Sequence, residues 1–213
     1  AGGAIVGHET TVRNGESSWY FIGMDLILDR QGTPYRSQIY SRSLYIRTGT
    51  GIAHRRSGRF YRWHFDFSIN SHIPIFKRQA FLGKMVTRII TSDKNDSLHQ
   101  VEKIRIGGHN SIRGYAENLY SFSSVVYSQT EYLFYYNTTG SLYIFIDGGI
   151  GFAEKISTSS RNQTTMLGYG LGTRIPVKFG RLSIEWARNF KETKGLGRIH
   201  VRINNNLSSR INM

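Results

Sequence analysis

In the segment FYRWHFDFSIN, residues 60–70, every second side chain is apolar. Tyr61, Trp63, Phe65, Phe67 and Ile69 share one parity, and Arg62, His64, Asp66, Ser68 and Asn70 share the other. A period of two is the mark of a β-strand, whose successive side chains project to opposite faces. The same rule predicts strands over 20–29 (Tyr20, Ile22, Met24, Leu26 and Leu28 on the apolar side), 142–149 (Leu142, Ile144, Ile146), 167–177 (Leu167, Tyr169, Leu171), 182–187 (Leu182, Ile184, Trp186) and 198–204 (Ile199, Val201, Ile203). Less regular segments at 37–50, 80–90 and 125–136 bring the expectation to about nine strands with no helix, or ten if the N-terminal stub is one.

Alternation alone does not say which face meets water. A soluble sandwich that hides its apolar face produces the same pattern. Two details favour a transmembrane barrel. Aromatic residues gather on the apolar parity near strand ends (Tyr20, Tyr61, Trp63, Tyr132, Tyr136, Trp186), as interfacial girdles do. The opposite parity mixes charged residues with glycine on nearly every strand, which suits a crowded lumen. Connections differ in length: a tight turn is expected at 179–181, longer linkers at 91–110 and 153–164, and the span from 91 to 124 exceeds what a hairpin needs.

Composition narrows this picture. The 213 residues include 13 Tyr, 12 Phe and 23 Gly but no Cys, which excludes disulfides, zinc–thiolate sites and a thiol nucleophile. No run of about 18 apolar residues forms a membrane helix. A mean hydropathy of −0.36 is compatible with a barrel, where alternate residues face the lumen. The net charge of +14 admits nucleic acid, anionic lipid or an acidic client. The basic residues are spread singly, which argues against nucleic acid. No signal peptide opens the chain, so one has been removed or the chain is a fragment.

Candidate chemistry is sparse. His64, Asp66 and His200 share a parity but lack metal-site spacing, and no metal or cofactor is expected. Ser111 and His109 have no Gly-x-Ser-x-Gly elbow around them. GYGLGTR lacks the helix and lysine of a phosphate loop and reads as a strand.

The segment GGHNSIRGY, with Gly107, Gly108, Arg113, Gly114 and Tyr115, resembles the loop signature of the BamA/TamA/TpsB superfamily of outer-membrane insertases and two-partner secretion translocators. Further segments resemble it in family order: GMDLILDRQGTPYRSQIY, QTEYLFYY with Glu131, FIDGGIGF with Asp147, LGYGLGTRIP and GRLSIEWA. The likeness spans essentially the whole chain. It departs at Ser37, where PYRS replaces Pro-x-x-Gly, and after the last strand, where NNLSSRINM follows.

The resemblance implies an antiparallel transmembrane β-barrel of sixteen strands, of which about nine, from roughly the eighth onward, are present. It places periplasmic POTRA domains outside this sequence. It also implies an outer membrane, bacterial or organellar, and a non-enzymatic role in inserting or exporting polypeptides. The partners it implies are unfolded outer-membrane or secreted clients, membrane lipid and accessory assembly subunits, with no nucleic acid. The loop at about 91–124 is expected to fold into the lumen, with Arg113 held first by Asp147 and second by Glu131. Gly114 would give a tight turn and Tyr115 would pack on the wall, while Gly148, Gly149, Gly170 and Gly172 would leave room for the loop tip. The alternatives are a solvated Arg113, a purely structural lock, a passive pore and a polyanion-binding sandwich.

Overall fold

The computed structural model describes residues 18–35, 38–55, 58–92, 98, 100, 102–137, 140–153, 163–178, 180–192 and 195–205. Ser37, Phe179, the N-terminal stub and the segment after Asn205 lie outside them. No helix occurs among the described residues. The strands are β1 (Ser18–Tyr35), β2 (Gln38–Arg55), β3 (Gly58–Phe76), β4 (Gln79–Ser92), β5 (Ile104–Ile106), β6 (Tyr120–Phe122), β7 (Ser124–Tyr135), β8 (Ser141–Phe152), β9 (Gln163–Val177), β10 (Gly180–Asn189) and β11 (Arg198–Asn205). Nine of them form one antiparallel sheet in the order β1-β2-β3-β4-β7-β8-β9-β10-β11, and β5 pairs with β6 in a separate ribbon. The sheet is open: β1 and β11 lie at its two ends.

Each long strand predicted from alternation is present, and several run further than the alternation does. β1 continues from Asp29 to Tyr35 with a register shift between Gln31 and Pro34. There the ladder carries the backbone onward although the side chains no longer alternate. β5 and β6 were not predicted, because a three-residue strand is too short to display a period.

The faces of the sheet are inverted relative to a soluble protein. On β8, Leu142, Ile144 and Ile146 are exposed while Ser141, Tyr143, Phe145 and Asp147 are buried. On β3, Trp63 is 61% exposed and Arg62 is fully buried. β11 exposes Ile199, Val201 and Ile203. The two-layer sandwich considered above is therefore not the fold: among the described residues no second sheet covers this apolar face.

Part of the other face is covered by described residues of the chain between β4 and β7. Ile104, Ile106, Ile112, Tyr115 and Phe122 from this loop pack on Val86, Val125, Tyr127 and Met166 of the wall. Full burial of such side chains contributes about 1.5–3 kcal/mol each before ordering costs. A second cluster of Leu133, Tyr143, Phe145 and Ala187 lies on the inner face. Connections 36–37, 77–78, 136–140 and 178–179 lie at one end of the sheet, and 56–57, 93–123, 153–162 and 190–197 at the other. One end thus carries the four shorter connections between these strands; the other carries the three long ones and one short one.

Candidate functional site

The loop reaches the wall through a turn that bonds mainly to itself. Gly107 and Gly108 both have positive φ, and the Gly107 N–H donates to Ser111 Oγ at 2.8 Å. Gly108 N–H donates to the Ile112 carbonyl at 3.1 Å, and the His109 N–H donates to Glu117 Oε1 at 2.8 Å. Ser111 thus braces the turn and is positioned as an acceptor, not as a nucleophile beside an acid. These bonds present residues 112–115 to β8, β9 and β10.

Arg113 is 2% exposed and its guanidinium is a fork between three strands. Nε and Nη2 donate to Asp147 Oδ2 and Oδ1, each at 2.7 Å, and the Arg113 backbone N–H donates to Oδ2 at 3.0 Å. Nη1 donates to Glu131 Oε1 at 2.7 Å and to Glu185 Oε1 at 3.2 Å. The guanidinium carbon lies 3.6 Å from the centre of the Phe145 ring. Asp147 is on β8, Glu131 on β7 and Glu185 on β10, so one loop cation binds three strands. Burial alone would lower the Arg113 pKa; the hydrogen bond and charge of Asp147, followed by Glu131 and Glu185, outweigh it and raise the value above its ordinary one. The planar fork allows this; a lysine ammonium lacks the two parallel donors that Asp147 accepts.

The carboxylates have further partners. Tyr143 OH donates to Glu185 Oε1 at 2.6 Å, and Arg174 pairs with the second oxygen of Glu131. Arg174 also stands over the Tyr143 ring at 4.2 Å. His109 Nδ1 lies 2.8 Å from Glu185 Oε2, and His109 Nε2 lies 2.9 Å from Arg202 Nη1 on β11. Arginine only donates, so the network assigns Nε2 as acceptor and Nδ1–H as donor.

Gly114 has φ +89°, and a Cβ there would sit 2.5 Å from the backbone of Arg188. Its carbonyl accepts from Asn189 Nδ2 at 2.9 Å. Tyr115 is buried: its hydroxyl accepts from Leu167 N–H at 3.1 Å and points at the Leu167 carbonyl at 3.4 Å. Desolvation raises the Tyr115 pKa.

The structure divides the expected glycines differently. Gly149 does face the loop, since a Cβ would lie 2.7 Å from Ile112 Cδ1. Gly170 and Gly172 instead receive the Phe145 and Tyr143 rings of β8, their register partners, each 2.6 Å from where a Cβ would stand, and a Cβ at Gly170 would also meet the Trp186 carbonyl of β10 at 2.0 Å. These rings floor the site under Arg113 and Arg174, so the two glycines act through them and not by clearing space for the loop tip. Gly148 has outward parity and takes no part. Gly168, which was not singled out, is the glycine the loop needs: a Cβ would meet the Arg113 carbonyl at 2.0 Å.

Sequence reasoning brought together Arg113, Asp147 and Glu131 but omitted Glu185, Tyr143, Arg174 and His109. The usable signal for Glu185 was its parity opposite Ile184 and Trp186, which turns it inward. His64 and Asp66 lie on β3 away from this cluster. No group of residues suited to a metal occurs among the described residues. The Omp85 superfamily domain matches residues 36–211 of the chain. No curated protein matches it.

Proposed function

Because the chain belongs to the Omp85 superfamily, we propose that it is part of an outer-membrane β-barrel that inserts barrel proteins into that membrane or exports polypeptides across it. The role is non-enzymatic, and its partners are unfolded polypeptide clients, membrane lipid and accessory assembly subunits. The apolar outward face suits hydrocarbon, and the inward charges suit a lumen. Unpaired strand edges are costly in lipid, so β1 and β11 pair with further strands of a sixteen-stranded cylinder. A seam that opens between terminal strands would offer an edge to which a client strand adds by main-chain hydrogen bonds.

The observation that carries this reading is the Arg113 fork, a loop cation held by acids from β7, β8 and β10 inside a wall whose outside is apolar. Such a fork props the wall and joins the lumen to the strands nearest β11. The test is assembly of a client barrel, or secretion of a client, by vesicles carrying the full-length protein with Arg113→Ala. We expect client handling to fall while the variant itself still enters the bilayer. Undiminished client handling would favour a passive pore.

A further inference from the structure

We propose that the short-turn end of the sheet is a docking rim for anionic phospholipid headgroups in the adjoining leaflet. This rests on the bilayer reading above.

The topology keeps acids away from the short turns. Within four strand residues of these turns, over 32–41, 73–82, 132–144 and 174–183, the chain has six lysines and arginines and no aspartate or glutamate. The long connections at the opposite end are mixed instead, with six of the chain's fourteen acids, among them Glu102, Glu117 and Glu192, beside eight lysines and arginines. Among the basic residues of the short-turn end, Arg42, Lys77, Arg78 and Lys178 are exposed.

The second observation is apolar. Phe76, Phe81, Tyr132, Phe134 and Tyr136 are all exposed at the same end of β3, β4 and β7. Exposed aromatics beside cations at the margin of an apolar belt mark the headgroup level, where aromatic rings settle and long basic side chains reach for phosphate. Each basic residue there adds attraction to an anionic leaflet that decays within a Debye length. An acidic polypeptide would also answer the charge, but it gives no reason for the aromatic girdle.

The test uses the full-length protein in phosphatidylcholine vesicles containing about one-third phosphatidylglycerol. Spin-labelled phosphatidylglycerol and phosphatidylcholine report which lipid the protein surface retains. The wild type should prefer phosphatidylglycerol by about threefold or more at low salt. Combined Arg42→Gln, Lys77→Gln, Arg78→Gln and Lys178→Gln changes, or molar salt, should bring the ratio near one. Exchanging lysine for arginine and arginine for lysine at these four positions should preserve it. Wild-type parity, or an undiminished preference in the neutralised protein, overturns the proposal. So does parity for lipid combined with polyglutamate binding that the Gln changes abolish, which would assign the rim to an acidic polypeptide. Protease protection of the inserted protein separates the two readings. Wild type that never enters the bilayer removes the barrel and the rim together; entry without selectivity removes the rim alone. If the neutralised protein fails to enter, the salt series and the charge-retaining variant decide.

Discussion

Removing the Arg113 side chain strips four charge-assisted hydrogen bonds from three carboxylates and leaves only the backbone bond to Asp147. Asp147 is fully buried and the Glu185 side chain is 2% exposed, so water cannot replace the lost donors without opening the site. The four bonds are not additive. The cost is that of breaking a buried pair, about 3–5 kcal/mol. At about 1.4 kcal/mol per tenfold, the loop's docked population falls by about a hundred- to several-thousand-fold relative to the undocked state. Hydrogen exchange of the amides over 107–118, in full-length protein held in detergent, measures this directly, because a docked turn protects them and an undocked one does not. We expect exchange in Arg113→Ala to accelerate by a comparable factor while β8 stays protected. Adding Asp147→Asn should cost about 2 kcal/mol less than the sum of the two single changes, because the second removes a charge that the first left stranded. Loop exchange within about threefold of wild type would refute the account, since burial at this site would then owe nothing to the ion pairs.

The close approach of the loop to β9 predicts that Gly168→Ala destabilises by about 1–3 kcal/mol and raises exchange of the same loop amides. Gly148→Ala, whose new methyl meets only Leu167 Cδ1 at 3.5 Å, should leave them unchanged. Equal effects from the two would show that the contact with the Arg113 carbonyl is not what holds the loop. The outward face predicts that Ile144→Arg, at a position 63% exposed, lowers stability in bilayers by about 2–4 kcal/mol in a urea titration. A neutral result would mean that this face does not meet lipid.

The sheet was legible because its signal is local. Trp63 beside Arg62, or Ile144 beside Phe145, states a face without knowledge of any neighbour strand. What alternation could not supply was the sign of that face; the exposed Trp63 and buried Arg62 did. The site was legible in part. Asp147 and Glu131 were found through the likeness of their segments, with parity turning them inward. Glu185 lies two strands beyond Asp147, and only the register that sets it against Gly172 brings it under Arg113. The glycines show the same boundary. Inward parity was readable for Gly149, Gly170 and Gly172, but whether a loop or a neighbouring ring fills the space above each depends on cross-strand partners that sequence spacing does not encode. The ribbon of β5 and β6 exists because the loop builds a small apolar core around Ile106 and Ile112, a tertiary cause with no periodic trace.

The three-acid wall has a further consequence. Glu131, Asp147 and Glu185 stand on three different strands and converge on one guanidinium, so like charges that would repel one another become partners through a shared guest. The loop is thereby a tie laid across separate staves as well as a filling for the space they enclose.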